Sequence, residues 1–201
     1  MNLPIKITIA RIGLTGILVL VLLFPVHLIN MTWPMYQIEG FGNFVLVDLR
    51  YLVAAVLFVV AALTDALDGY LARKNNQITE AGKALDAIAD KVLVNSVLIV
   101  LASQGFISAF FPVIIIARDT IVDVIKMMAG KQGGKVVGAS NLGKYKTAVM
   151  MSAITLILLY NLPFELLGLN IAMFLLMIAT ILSVVSGIDY YLNYKKSLLN
   201  T

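Results

Sequence analysis

The fold class that this sequence predicts is an all-α polytopic membrane protein, a bundle of six transmembrane helices preceded by a short N-terminal juxtamembrane segment. Three observations predict it. Of 201 residues, 61% are hydrophobic and 13% charged, about half the charged share of an ordinary soluble domain. So many apolar side chains exceed what one globular core can bury, and lipid is the expected solvent. The apolar residues fall into six runs, most of them near the roughly 20 residues that a helix needs to cross a hydrocarbon core. Finally, the basic residues gather at alternate ends of those runs.

The first run, about 9–29, is longer than a signal-peptide core. Leu28-Ile29-Asn30 offers no small-x-small cleavage site, so the run reads as a retained span. The segment 30–50 reads as an interfacial loop anchored by Trp33, Tyr36 and Phe41. Runs at 51–72 and 82–103 follow, then one at 107–127 after a tight turn at 104–106. A shorter run covers 146–161, and the last, 170–192, follows a Gly- and Pro-bearing turn at 162–169. No linker, low-complexity tract or repeat divides the chain, so residues 1–201 form a single domain.

An even number of spans puts both termini on one side. That side holds Lys6, Arg11, Arg73, Lys74, Lys83, Lys126, Lys131, Lys135, Lys144, Lys146, Lys195 and Lys196, and the other holds Arg50 alone. The bias places both termini and the 74–81 and 130–145 loops in the cytoplasm, with the protein in the cell membrane. The net charge of +4 is thereby explained by orientation and anionic headgroups, not nucleic acid. Without cysteine there are no disulfides, thiolate metal sites or cysteine nucleophiles. The one histidine, His27, reads as an interfacial residue, since a His-based metal site usually needs several nitrogen ligands.

Ionisable groups within apolar helices each need a reason. Asp65, Asp68, Asp86, Asp90, Lys91, Arg118, Asp119 and Asp123 all lie in or at the cytoplasmic halves of such runs. At 1.5 Å per residue, Asp65 and Asp90 lie about 12 Å inside their helices, so four carboxylates share one depth. On helical angle, Asp65, Asp68, Gly69, Ala72 and Arg73 share an arc of about 140°, and Gly82, Asp86 and Asp90 a stripe of about 80°. Four converging acids repel unless cations lie between them, and oxygen-only ligation favours hard ions such as Mg²⁺ or Mn²⁺. Gly69, Ala72 and Gly82 leave room for close approach, and Arg73 offers a planar fork for a phosphate. A lone intramembrane aspartate is more often a packing or pairing residue; four on two facing helices favour a metal site.

The run Asp65-Ala-Leu-Asp68-Gly69-Tyr-Leu-Ala72-Arg73, eight residues, Gly82, three residues, Asp86, three residues, Asp90 resembles the full signature of the CDP-alcohol phosphatidyltransferase family. All eight fixed positions match, and six spans with cytoplasmic termini fit that family across nearly the whole chain. The resemblance implies an enzyme that transfers a phosphatidyl group from CDP-diacylglycerol to a small alcohol and releases CMP. It implies two divalent cations, Mg²⁺ or Mn²⁺, on Asp65, Asp68, Asp86 and Asp90. Asp90 would also be the catalytic base, and Asp68, Gly69, Ala72, Arg73 and Gly82 would border the CDP-diacylglycerol. A homodimer is likewise implied.

In the next cytoplasmic loop, Gly138-Ala-Ser140-Asn-Leu-Gly143-Lys144-Tyr-Lys146-Thr147 resembles the phosphatidylglycerophosphate-forming branch of the family. That implies glycerol 3-phosphate as acceptor, its phosphate held by Arg118, Lys135, Ser140 and Lys144. Inositol phosphate or another alcohol is the alternative acceptor. Without the resemblance, the loop is a solvated basic face and Arg118 pairs with Asp119 and Asp123. The opening Asn2-Leu-Pro4-Ile-Lys-Ile-Thr8-Ile-Ala-Arg11 resembles the family's juxtamembrane segment, with Ile5 where a second Asn is usual. Asp119-Thr120 stands where relatives commonly carry Glu-Leu or Glu-Ile. Two rivals fit less well. An ion-coupled transporter would show broken helices or inverted halves, and a membrane prenyltransferase would need a second Asp-rich motif, for which Asp119 and Asp123 are poor candidates.

Overall fold

A computed structural model describes residues 3–25, 32–74, 80–131 and 141–199. Within them the chain forms α1 (Leu3–Leu23), a β-hairpin of β1 (Met35–Gly40) and β2 (Asn43–Asp48), α2 (Leu49–Lys74), α3 (Glu80–Ser103), α4 (Phe110–Lys131), α5 (Asn141–Leu158) and α6 (Ile171–Leu199). Each expected run has its helix. At the N-terminal side α1 is continuous from Leu3, so the described residues expected as a juxtamembrane segment are helical. It also stops at Leu23, short of residue 29, since Pro25 cannot donate to a helix and disfavours helical geometry in the residue before it.

The fold is mostly helical, with one β-hairpin added. The segment expected to be an interfacial loop is an antiparallel ladder pairing Met35 with Asp48 through Gly40 with Asn43. Its two-residue turn puts Phe41 at φ 52° and Gly42 at φ 84°, the double left-handed geometry that matches strand twist. Val47 is buried, Gly40 sits 3.1 Å (by its absent Cβ) from Leu166, and Asn43 Nδ2 donates to the Leu166 carbonyl at 3.0 Å. The hairpin thus lies against the short 3₁₀ turn Phe164–Leu167 that joins α5 to α6.

This hairpin end of the bundle is closed by caps. Asp48 Oδ1 accepts the Arg50 backbone N–H at 2.8 Å, capping α2. At the end of α3, Gly105 (φ 82°) lets Phe106 N–H reach the Leu101 carbonyl at 2.9 Å and Gly105 N–H reach Ala102 at 3.2 Å, a Schellman closure. Asn161 joins α5 to α6 by donating to the Leu169 carbonyl (2.7 Å) and Glu165 (2.9 Å) while accepting from Ala172 N–H at 3.0 Å. Tyr51, Phe106 and Tyr160 pack ring against ring, with centroids 4.7–5.5 Å apart.

α1 packs on α2 and α3, α5 packs on α6 and α2, and α4 leans chiefly on α6. Ala54, Ala55, Ala61, Ala153, Ala172 and Ala179 are all buried at these seams beside Leu18, Phe58, Leu98 and Leu176, small residues that let helix backbones approach. The outward faces remain apolar: Leu20 on α1, Val56 and Leu63 on α2, Ile88 and Ile99 on α3, Val113 and Ile121 on α4, and Ile181 and Ile188 on α6 are each more than half exposed. In water such a surface would drive association. By length and apolarity, α1 (Ile5–Leu23) and α6 (Ile171–Leu192) are the candidate membrane spans among the described residues, and α5 holds a shorter apolar stretch, Tyr145–Leu158. The acids and bases of α2, α3 and α4 interrupt their apolar stretches, and those charges build the site.

Candidate active site

At the end opposite the hairpin, α1 supplies a cation to α2 and α3. Arg11 is completely buried, and its guanidinium bonds Asp65 Oδ1 of α2 through Nη1 and Asp86 Oδ1 of α3 through Nη2, the latter at 3.0 Å. The two carboxylates are 38% and 48% exposed. The cation is therefore withdrawn from solvent while both acids remain partly exposed. Thr15 steadies the same turn of α1 by donating to the Arg11 carbonyl at 2.9 Å.

Asp90 follows Asp86 by one turn of α3 and is half-buried. Its carboxylate lies within electrostatic reach of Arg11, Asp86, Lys146 and Asp119. Asp68, Gly69, Ala72 and Arg73 lie on α2 within two turns of Asp65, and Gly82 is in the first turn of α3. The side chains of Asp68, Ala72 and Arg73 fall outside the described residues. Among the described residues no three carboxylates close around one point as a metal cage would. The donor chemistry nevertheless suits a hard divalent cation. Two half-exposed carboxylates from α2 and α3 already share a positive charge, and the chain has no cysteine to offer a thiolate.

A second polar cluster joins α4, α5 and α6. Asp119 accepts from Arg118 Nη1 at 2.6 Å and from Lys146 Nζ at 2.8 and 3.1 Å. Arg118 Nη2 donates to Ser186 Oγ of α6 at 2.6 Å. Arg118, Asp119 and Lys146 are 16%, 13% and 12% exposed, so these charges are largely withdrawn from solvent yet not sealed. Asp123 does not pair with Arg118. Five residues apart on a helix, they point about 140° away from each other, and Asp123 instead bonds Lys91 of α3. Lys135 and Ser140 lie outside the described residues, as does the side chain of Lys144 on α5.

Two participants lie in segments that resemble the family but receive no site role from the sequence. Arg11 is recognisable in the sequence as a base that orients the first helix, and its place between Asp65 and Asp86 depends on how α1 crosses α2 and α3. Lys146 is visible as one more positive charge in a basic loop. The signal available for Arg11 was its position inside an apolar run, where a guanidinium needs carboxylate partners.

Comparison with known proteins bears on this arrangement. The family model for CDP-alcohol phosphatidyltransferase matches residues 1–185. The chain is 39% identical, over 94% of its length and 93% of the relative's, to a protein of Bacillus subtilis (strain 168) named CDP-diacylglycerol–glycerol-3-phosphate 3-phosphatidyltransferase. Proteins of the same name from Rickettsia bellii (strain RML369-C) and Rickettsia typhi (strain ATCC VR-144 / Wilmington) are each 33% identical to it. The first covers 97% of this chain and 96% of the relative, and the second 94% and 95%.

Proposed function

The chain belongs to the CDP-alcohol phosphatidyltransferase family, and from that premise we propose that it transfers the phosphatidyl group of CDP-diacylglycerol to sn-glycerol 3-phosphate. The products are phosphatidylglycerophosphate and CMP. The observation that carries this reading is the meeting of Asp65 and Asp86 over Arg11, at the signature residues of a chain that matches named relatives almost end to end.

Asp65, Asp68, Asp86 and Asp90 would hold two divalent cations, Mg²⁺ or Mn²⁺, which when bound would neutralise the diphosphate and the charge developing on phosphorus and on departing CMP. Arg11 ties Asp65 to Asp86 and so fixes their spacing. Gly69, Ala72, Arg73 and Gly82 border the cytidine diphosphate, Arg73 as a donor to its phosphates. Arg118, Lys135, Ser140 and Lys144 bind the phosphate of the acceptor, with Lys146 shared between that pocket and Asp90. The acceptor hydroxyl oxygen attacks the phosphatidyl phosphorus, the bond from phosphorus to the CMP oxygen breaks, and Asp90 takes the hydroxyl proton.

The six helices would cross the cell membrane with both termini and the site on the cytoplasmic side. The apolar outward faces on five helices and the basic residues around the site support this. A cysteine at Glu39 is then expected to react with an impermeant thiol reagent on intact cells and one at Lys74 to be shielded; the reverse pattern overturns the orientation. The activity itself is tested by CMP release from CDP-diacylglycerol with a panel of acceptors. Glycerol 3-phosphate is expected to support turnover where glycerol and inositol do not. Turnover with another alcohol and none with glycerol 3-phosphate removes the acceptor assignment.

A further inference from the structure

A guanidinium in the middle of an apolar helix needs a counter-ion, and it also needs room. Asp119 supplies the first, and α6 supplies the second. A Cβ added at Gly187 would stand 2.9 Å from Arg118 Nε, 3.0 Å from Cγ and 3.5 Å from Cδ, so the arginine side chain lies directly across the glycine. One residue earlier, Ser186 Oγ accepts from Arg118 Nη2 at 2.6 Å. That hydroxyl spends its own proton on the Ser183 carbonyl at 3.1 Å, which turns its lone pairs towards the guanidinium. Asp119 takes Nη1. Both terminal nitrogens are thus tied to fixed groups, and the side chain keeps 16% exposure. A glycine inside a helix is less favourable than alanine by about 1 kcal/mol, and here the arginine occupies the space that alanine would take.

We infer that the Ser183–Gly187 step of α6 is the positioning device for Arg118: Gly187 gives the side chain its channel, and Ser186 fixes the guanidinium in the plane that meets the acceptor phosphate. The inference rests on the reading of Arg118 as an acceptor-phosphate ligand. It adds two specificity-determining residues from a helix that carries none of the signature. Neither touches substrate; both act through Arg118.

The test uses the full-length protein in detergent–lipid micelles, with KM measured separately for glycerol 3-phosphate and CDP-diacylglycerol. Ser186→Ala is expected to raise the acceptor KM about tenfold, the scale of one hydrogen bond to a charged group. The CDP-diacylglycerol KM should stay within about twofold, because only the acceptor pocket changes. Gly187→Ala should raise the acceptor KM at least as far. If that variant does not fold, Ser186→Ala carries the test alone. Arg118→Lys lacks the second nitrogen, so adding Ser186→Ala to it should change nothing more, and additive effects would show that Ser186 acts elsewhere. Should Arg118→Lys raise the acceptor KM while Ser186→Ala and Gly187→Ala do not, the seat on α6 is refuted and the acceptor pocket stands. An unchanged acceptor KM in Arg118→Lys removes the pocket and the seat together.

Discussion

Arg50 and Arg11 are both arginines packed among helices at opposite ends of the bundle, and their partners differ in kind. Arg50 bonds the Tyr51 hydroxyl at 3.0 Å, the α1-terminal carbonyl of Leu22 at 3.4 Å and a single carboxylate, Asp48, at 3.4 Å, and it lies 4.7 Å over the Tyr51 ring. Gln104 completes the group by donating to Leu22 at 2.9 Å while accepting from Tyr51. One cation meets one anion, and its Nη1 also reaches the end of α1. Arg11 instead carries two carboxylates, each 38% or more exposed, with Asp90 within electrostatic reach. Its end of the bundle presents two half-exposed carboxylates around one buried cation. The hairpin end uses its arginine to join neighbouring helices, whereas at the site end one cation is shared by acids of two helices.

The largest expected effect breaks the site end alone. Chelation should abolish turnover, and Mg²⁺ or Mn²⁺ should restore it; full activity in metal-free buffer would end the two-cation reading. Within that experiment the acids divide. Asp90→Asn removes a base and should lower kcat by about 10²–10⁴-fold whatever the metal concentration. Asp86→Asn removes a ligand, so part of its loss should return as Mg²⁺ is raised, by mass action. Equal rescue of both variants would reduce Asp90 to one more ligand.

Arg11→Ala separates the two ends next. It leaves Asp65 and Asp86 without the cation they share. Losing one partner of a buried pair costs up to about 5 kcal/mol, and the half-exposed acids bring the expected loss to about 2–3 kcal/mol. A divalent cation should raise the melting temperature of this variant more than that of the parent, since it replaces the missing charge. Equal shifts would mean that the cation binds away from Asp65 and Asp86. At the hairpin end, Tyr51→Phe keeps the ring stack and deletes a hydroxyl bonded to Arg50 and Gln104. The expected loss is about 1–2 kcal/mol, read by thermal unfolding, with kcat and both KM values unchanged. A change in kcat would couple the two ends and break the division of labour.

How much of this was legible in the sequence follows from the range over which each feature is encoded. Helix α3 was readable because its apolar run, its Gly82–Asp86–Asp90 stripe and its Gly105 stop are all local. The hairpin was not, since Gly40-Phe41-Gly42-Asn43 sits in a segment whose aromatic residues suited a membrane interface equally well, and the ladder became evident with its packing on Leu166. The four acids announced themselves by spacing. Their buried cation, Arg11, comes from a helix more than fifty residues earlier, and its role is set by how α1 crosses α2 and α3. Ser186 and Gly187 carry no charge and look like ordinary small residues of an apolar helix. What was missed is tertiary: a side chain whose meaning lies in a neighbour that no periodicity specifies.

The smallest expected effect uses two glycines kept for opposite reasons. Gly187 has an ordinary helical backbone and occupied space, while Gly42 has φ 84° and nothing within 4 Å of an added Cβ. Gly42→Ala therefore meets no atom and is opposed by its backbone alone, at about 1 kcal/mol for a left-handed L-residue. For a chain of this size that is about 2–4 °C in melting temperature. Gly42→Asn should lose less, because asparagine tolerates the left-handed region. Kinetic constants should match the parent in both, in contrast to the acceptor-specific KM change expected of Gly187→Ala. Equal losses in Gly42→Ala and Gly42→Asn would mean that crowding at the hairpin tip, and not φ, selects glycine there. A kinetic change in either would mean that the hairpin reaches the chemistry at the far end of the bundle.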